Sequence, residues 1–261
     1  NLNHGFKHIS SLFMLMSLLY LPIIEFYLFN LTNFLFYTFF IAFILKEIFL
    51  RNIVNLNLSN LILSLILILF LTKFSRLAEF GADISGQIII SLYFFYFLEF
   101  FYNRKINFNK RIEYFKLSII FIVFAITLKF ISVIYSFLIL ISFFLIKKRK
   151  EIILSLLKIN YIIIIILPLS LFVFLNFSAT GCLVYPVEAL CFSNSFDWAL
   201  NSQILEYLNF HYEIWAKGGR GPGIDGMTNQ EEYIMYLNWL PHWVNVYFVG
   251  KFSDYILVTA I

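Results

Sequence analysis

Long apolar runs broken by short polar clusters set the pattern of this chain from about residue 26 to residue 176. An α-helix rises 1.5 Å per residue, so about 20 apolar residues cross the roughly 30 Å of hydrocarbon in a bilayer. Runs near that length predict six spans, at about Phe26–Leu45, Ile53–Thr72, Ile88–Tyr102, Tyr114–Leu128, Phe130–Ile146 and Ile152–Asn176. Lys251 onward (KFSDYILVTAI) reads as the start of a seventh. Lys46 with Arg51, then Arg104 to Arg111, then Lys147 to Lys150 fall at alternate turns, which places those turns in the cytoplasm. By parity, Lys73 to Gln87, Lys129 and everything after Asn176 face outward. The short apolar segment Ile9 to Ile24 follows His4, Lys7 and His8 and carries Ser10, Ser11 and Ser17. It is placed along the outer interface in preference to a span.

The expected fold is therefore all-α, a polytopic transmembrane helix bundle with an external interfacial helix and a small external cap of loops and helices. Residues 1–176 form the membrane domain, with 1–25 external, residues 177–250 the cap, and 251–261 the start of the further span. Composition agrees: of 261 residues, 61% are hydrophobic, 21% aromatic and 13% charged, against roughly 25% charged in a soluble domain. The net charge of +4 does not point to nucleic acid, because the basic residues sit in inter-span turns. The chain opens NLNHGF, without Met, and stops at ILVTAI in apolar sequence, so it is read as a piece of a longer protein.

Candidate chemistry concentrates on the outward side. Cys182 and Cys191 bracket Pro186, and in an oxidising compartment they are expected to form a disulfide. No His or further Cys lies at zinc-ligand spacing. Lys217-Gly-Gly-Arg220-Gly-Pro-Gly, beside Trp215, is a basic glycine-rich loop whose backbone N–H groups suit a phosphate, or it is a plain surface loop. All four tryptophans, Trp198, Trp215, Trp239 and Trp243, lie beyond the sixth span. They read either as interfacial anchors or as stacking platforms for sugar rings, for which Trp198 and Trp215 are the candidates. In the outward loop Lys73 to Gln87, Arg76 and Glu79 are spaced to pair on a helical turn. Asp83 has no local partner in sequence and is the better candidate for a functional carboxylate. Lys129 is either a snorkelling anchor or a charge aimed into an outward cavity. Asp197, His211 and His242 are read as structural.

The segments NLNHGFKHISSLF, SRLAEFGADISGQ, AITLK, TGCLVYPVEALCFSNSFDWA and EIWAKGG together resemble a family of uncharacterised bacterial inner-membrane proteins. That family in turn resembles the GT-C membrane glycosyltransferases, which take sugars from polyprenyl-phosphate carriers at the outer face. The resemblance implies a multi-pass protein of the bacterial cytoplasmic membrane with residues 177–250 in the periplasm. Its partners would be the lipid bilayer and a lipid-phosphate-linked sugar donor, in cell-envelope polysaccharide or glycolipid assembly. It also implies an acidic catalytic residue after a first span, which here would precede residue 1. Asp83 and Glu79 remain as carboxylate candidates, with His4, Arg76, Lys129, Lys217 and Arg220 for substrate or phosphate. The reading requires no cofactor and leaves room for a divalent cation. The alternatives are a polysaccharide polymerase or ligase, and a non-enzymatic transporter or flippase of lipid-linked glycans.

Overall fold

The computed structural model describes residues 31–51, 58–74, 77, 83–103, 106–146, 148–193, 195–218 and 229–249. Among these residues the regular elements are helices, and the only strand-like pairing is an isolated bridge between Cys182 and Cys191. They divide into two compact units, one within Ile9–Phe172 and one within Val173–Ile261.

The first unit contains α1 (Leu31–Leu50), α2 (Leu58–Thr72), α3 (Asp83–Tyr102), α4 (Phe108–Leu128), a 3-10 turn (Phe130–Ser132), α5 (Val133–Leu145), α6 (Arg149–Leu156) and the start of α7 (Ile159–Thr180). Among the described residues α1, α3 and α7 are long and apolar enough to cross a membrane, and α2 and Phe130–Phe144 are shorter apolar helices. The expectation of six spans thus rests on adding α2, α4 and α5. The predicted span Ile152–Asn176 is instead two helices, broken at Leu157–Lys158. Lys158 stands at the break, and α6 (RKEIILSL) carries three charges in its first turn, so the long apolar helix begins only at Ile159. Pro168 lies inside α7; an isolated proline is tolerated in an apolar spanning helix more readily than in water.

Side-chain bonds fix the directions of the helices. Tyr37 Oη donates to Phe70 O (2.8 Å) and Ser85 Oγ to Asn33 Oδ1 (2.6 Å), so α1 and α3 start together where α2 ends. Arg111 Nε donates to Phe100 O (2.8 Å) and Tyr93 Oη to Tyr135 O (2.9 Å), which sets α4 antiparallel to α3 and brings α5 alongside. Tyr161 Oη donates to Lys116 O (2.9 Å), so α7 begins beside the first turns of α4. Lys46, Arg51, Lys110, Arg111, Lys148, Arg149 and Lys150 therefore gather at one end of this bundle, and Asp83 and Lys129 lie at the other.

Two apolar clusters hold the unit together: Tyr93, Phe100, Phe115 and Ile122 between α3 and α4, and Tyr37, Phe40, Ile44, Leu63 and Phe70 between α1 and α2. The outward faces are apolar too, with Phe39, Phe49, Leu69, Ile141 and Phe144 exposed. A soluble surface does not carry that much contiguous hydrocarbon.

In the second unit α7 ends at Thr180, and the hairpin Gly181–Leu200 is closed by the Cys182–Cys191 disulfide that the sequence predicts. The Tyr185–Pro186 peptide inside it is cis. Asn201 then caps α8 (Ser202–Ala216), its side chain accepting from Gln203 N at 2.9 Å. α9 (Gln230–Ile234) and α10 (Leu240–Trp243) follow, with a single π-helical turn at Val244–Val249. Cys182, Tyr185, Leu200 and Leu205 form the small core, with Leu208 and Tyr212 against it.

Candidate functional site

Asp83 opens α3, where a carboxylate in the first turn is favoured by the helix dipole. Lys129 ends α4 in an extended conformation, its N–H donating to Ala125 O at 2.8 Å, and Ser132 N–H closes the next turn on Lys129 O at 2.9 Å. Antiparallel packing of α3 and α4 places these two residues together, and Lys129 Nζ forms an ion pair with the Asp83 carboxylate. The sequence offers no partner for Asp83 because the partner lies on the next helix. Both side chains remain accessible.

The pair stands over a cavity of about 180 Å³ that is lined also by Gly86, Gln87, Ser132 and Tyr135. Gly86 contributes to this space directly, since a Cβ built there would meet nothing within 4 Å. Gln87 Oε1 accepts from Lys73 Nζ at 2.7 Å, which brings a second ammonium group to this end of the bundle. Ser132 is fully buried, and its hydroxyl has no hydrogen-bond partner among the described residues. A buried hydroxyl left unpaired costs about 1–3 kcal/mol, and a ligand or water in the cavity would relieve that cost.

A second polar cluster, at the basic end, escapes the sequence reading. Glu99 is 3% exposed, yet it lies in the apolar run YFFYFLEFFY and looks like a boundary charge. Its carboxylate accepts from Arg51 Nη1 at 2.6 Å, from Asn103 Nδ2 at 2.9 Å and from Ser59 Oγ. Arg51 also bonds Glu47 Oε2 through Nε (3.1 Å) and Nη2 (3.0 Å), with its guanidinium 5.2 Å from the Phe95 ring centre. The only sequence signal was a glutamate inside a spanning run, which is itself a reason to look for a partner. Every acceptor atom of Glu99 is engaged, so this cluster ties α1, α2 and α3 together and has no vacant position for a ligand.

Glu79, Arg76, His4 and Arg220, and the glycine-rich loop after Gly218, lie outside the described residues. Lys217 caps the end of α8, where Nζ donates to Glu213 Oε1 (2.5 Å) and Ile234 O (2.9 Å), and Tyr233 Oη donates to Lys217 O (2.8 Å). One of its three donors is therefore spent within α8 and a second on holding α9 to α8. Trp198 packs against Phe177 and Phe196, while Trp215 is half exposed on α8. Burial first, then the Tyr212 hydroxyl 3.4 Å away, pushes the Tyr185 phenol well above the usual tyrosine range. Among the described residues no three His, Cys, Asp or Glu side chains cluster in the manner of a metal site.

Over its whole length, residues 1–261, the chain matches the model of a domain of unknown function, DUF8201, and it belongs to that family. No curated protein and no solved structure matches it.

Proposed function

We propose that this member of the DUF8201 family is a glycosyltransferase-like enzyme of a bacterial cytoplasmic membrane, using a polyprenyl-phosphate-linked sugar at the outer face. The observation that carries the reading is the meeting of Asp83 and Lys129 over one cavity, at the end of the bundle opposite the basic turns. In this reading the Asp83 carboxylate takes the proton of the acceptor hydroxyl. The Lys129 ammonium balances charge on the departing lipid phosphate, and the unpartnered Ser132 hydroxyl bonds a substrate oxygen.

The six-span topology is part of the proposal, with α1, α2, α3, α4, α5 and α7 crossing and α6 lying at the cytoplasmic interface. Gathering of the basic turns at one bundle end supports it, because cytoplasmic turns are rich in lysine and arginine. Between Lys158 and Lys217 the chain has neither lysine nor arginine, which favours a periplasmic position for the segment after α7. The disulfide there suits an oxidising compartment.

The test is sugar transfer in proteoliposomes of the full-length protein supplied with polyprenyl-phosphate sugar and envelope lipid acceptors. Asp83→Asn and Lys129→Gln should each lower transfer by about 10²-fold, the range for losing a positioned proton acceptor or charge partner, without changing thermal stability. Transfer at the wild-type rate in both variants would overturn the site. Glycolipid movement between leaflets without transfer would replace the enzyme with a transporter.

A further inference from the structure

The last turn of α7 carries an aromatic cluster that the proposed transfer site does not use. Phe177 is its hub, with ring centres 5.8 Å from Phe192 and Phe196 and 5.4 Å from Trp198, each edge to face. Phe196 and Trp198 in turn stack at 5.4 Å with planes 17° apart. The hairpin brings them there by a short ladder: Leu183 N–H donates to Leu190 O, Phe192 N–H to Gly181 O and Leu200 N–H to Thr180 O, at 2.9, 2.9 and 3.0 Å. The Cys182–Cys191 disulfide locks the ladder.

The cluster is ordered by its hub but open on its outer side. Phe192, Phe196 and Trp198 are 45, 43 and 48% exposed, an arrangement that water penalises at about 25 cal/mol per Å² of apolar surface. On α7 the exposed residues Leu167, Leu171 and Phe174 step by three and four toward Phe177, so they share its face of the helix. The apolar surface of a membrane-length helix thus runs directly into the rings. Charge does not explain their placement, because the exposed ionisable residues of the hairpin are Glu188 and Asp197. Aromatic side chains of this kind partition to the boundary between acyl chains and headgroups.

We infer that Phe192, Phe196 and Trp198, gathered on Phe177, form a membrane-interface anchor that seats the disulfide hairpin in the leaflet where α7 ends. Seating is by partition of the rings and not by attraction to anionic lipid.

The test uses the full chain in phosphatidylcholine vesicles with Trp215→Phe, Trp239→Phe and Trp243→Phe together, leaving Trp198 as the reporter. A companion variant keeps Trp215 in its place. Lipid brominated near the acyl carbonyl should quench Trp198 about twofold or more above Trp215, as expected for a ring at the headgroup boundary, and aqueous iodide should quench it less. Adding anionic phosphatidylglycerol or a soluble oligosaccharide should change neither result. An iodide-accessible Trp198 without bromolipid quenching overturns the anchor, as does lipid quenching that a glycan relieves or that requires anionic lipid. A nitroxide on Ser195→Cys, with the native disulfide intact, reads the same position without the tryptophan substitutions. Oxygen collisions should there exceed those with a water-soluble nickel chelate, and the reverse order overturns the anchor.

Discussion

Gly181 sits where α7 turns into the hairpin, with φ +77°, and its position is set by Leu200 N–H reaching back to Thr180 O. A Cβ there would lie 2.5 Å from Ala199 Cβ and 3.1 Å from Ala199 Cα, so both the backbone angle and the space require glycine. Gly181→Ala is expected to lower stability by about 1–3 kcal/mol. Gly86→Ala, in mid-helix with nothing within 4 Å of the new Cβ, should raise it by about 0.5–1 kcal/mol. Thermal unfolding in detergent measures both, and equal losses would contradict this account of the two glycines. Tyr185 adds a pH dependence. Its phenol is raised above the unfolded value by burial and by Tyr212, so the folded state binds its proton more tightly than the unfolded chain does. That contribution is fully present below about pH 10, the ordinary tyrosine value, and is lost as pH rises beyond it. Tyr185→Phe should therefore flatten part of the alkaline decline in melting temperature, and an unchanged alkaline slope would argue against the assignment.

Helices assemble here through ionisable residues that no local pattern pairs. Asp83 and Lys129 were each legible as outward charges, but their union depends on the packing of α3 against α4, which alternation of apolar and polar positions does not encode. Glu99 was hidden for the opposite reason: phenylalanines and tyrosines surround it in sequence, while its partners Arg51 and Ser59 come from the turn after α1 and the start of α2. The Cys182–Cys191 pairing was readable because both residues lie on one short hairpin. Glu99→Ala would leave the Arg51 guanidinium with Glu47 as its one remaining carboxylate and Ser59 as a neutral acceptor. Removing one partner of a buried ion pair costs about 3–5 kcal/mol. Denaturation in detergent should show that loss for Glu99→Ala, a smaller one for Glu99→Gln, which keeps hydrogen-bonding atoms, and partial recovery in Glu99→Ala with Arg51→Ala. Equal stability of Glu99→Ala and the native chain would remove the cluster from the forces that hold α1, α2 and α3.

At the scale of the whole chain the question is how many helices cross. Length and apolarity single out α1, α3 and α7 among the described residues, yet α1 and α3 are parallel, which obliges the chain to travel back through α2. α2 has 15 residues, about 22 Å at 1.5 Å per residue, short of the hydrocarbon thickness but within what local thinning and polar ends accommodate. The same reasoning applies to α4, which returns from the basic end to Lys129, and to α5, which follows it back past Tyr93. Charge alternation in the sequence anticipates this traffic, because turns at one bundle end share one aqueous phase. Single cysteines introduced by Lys150→Cys, Ile131→Cys and Gln203→Cys separate the two topologies, since the native pair is already oxidised. With six crossings, a membrane-impermeant maleimide added to intact cells should label Ile131→Cys and Gln203→Cys, and should reach Lys150→Cys only after lysis. If α4 and α5 do not cross, Ile131→Cys and Lys150→Cys will label together, and the Asp83–Lys129 cavity would then face the same compartment as the basic turns.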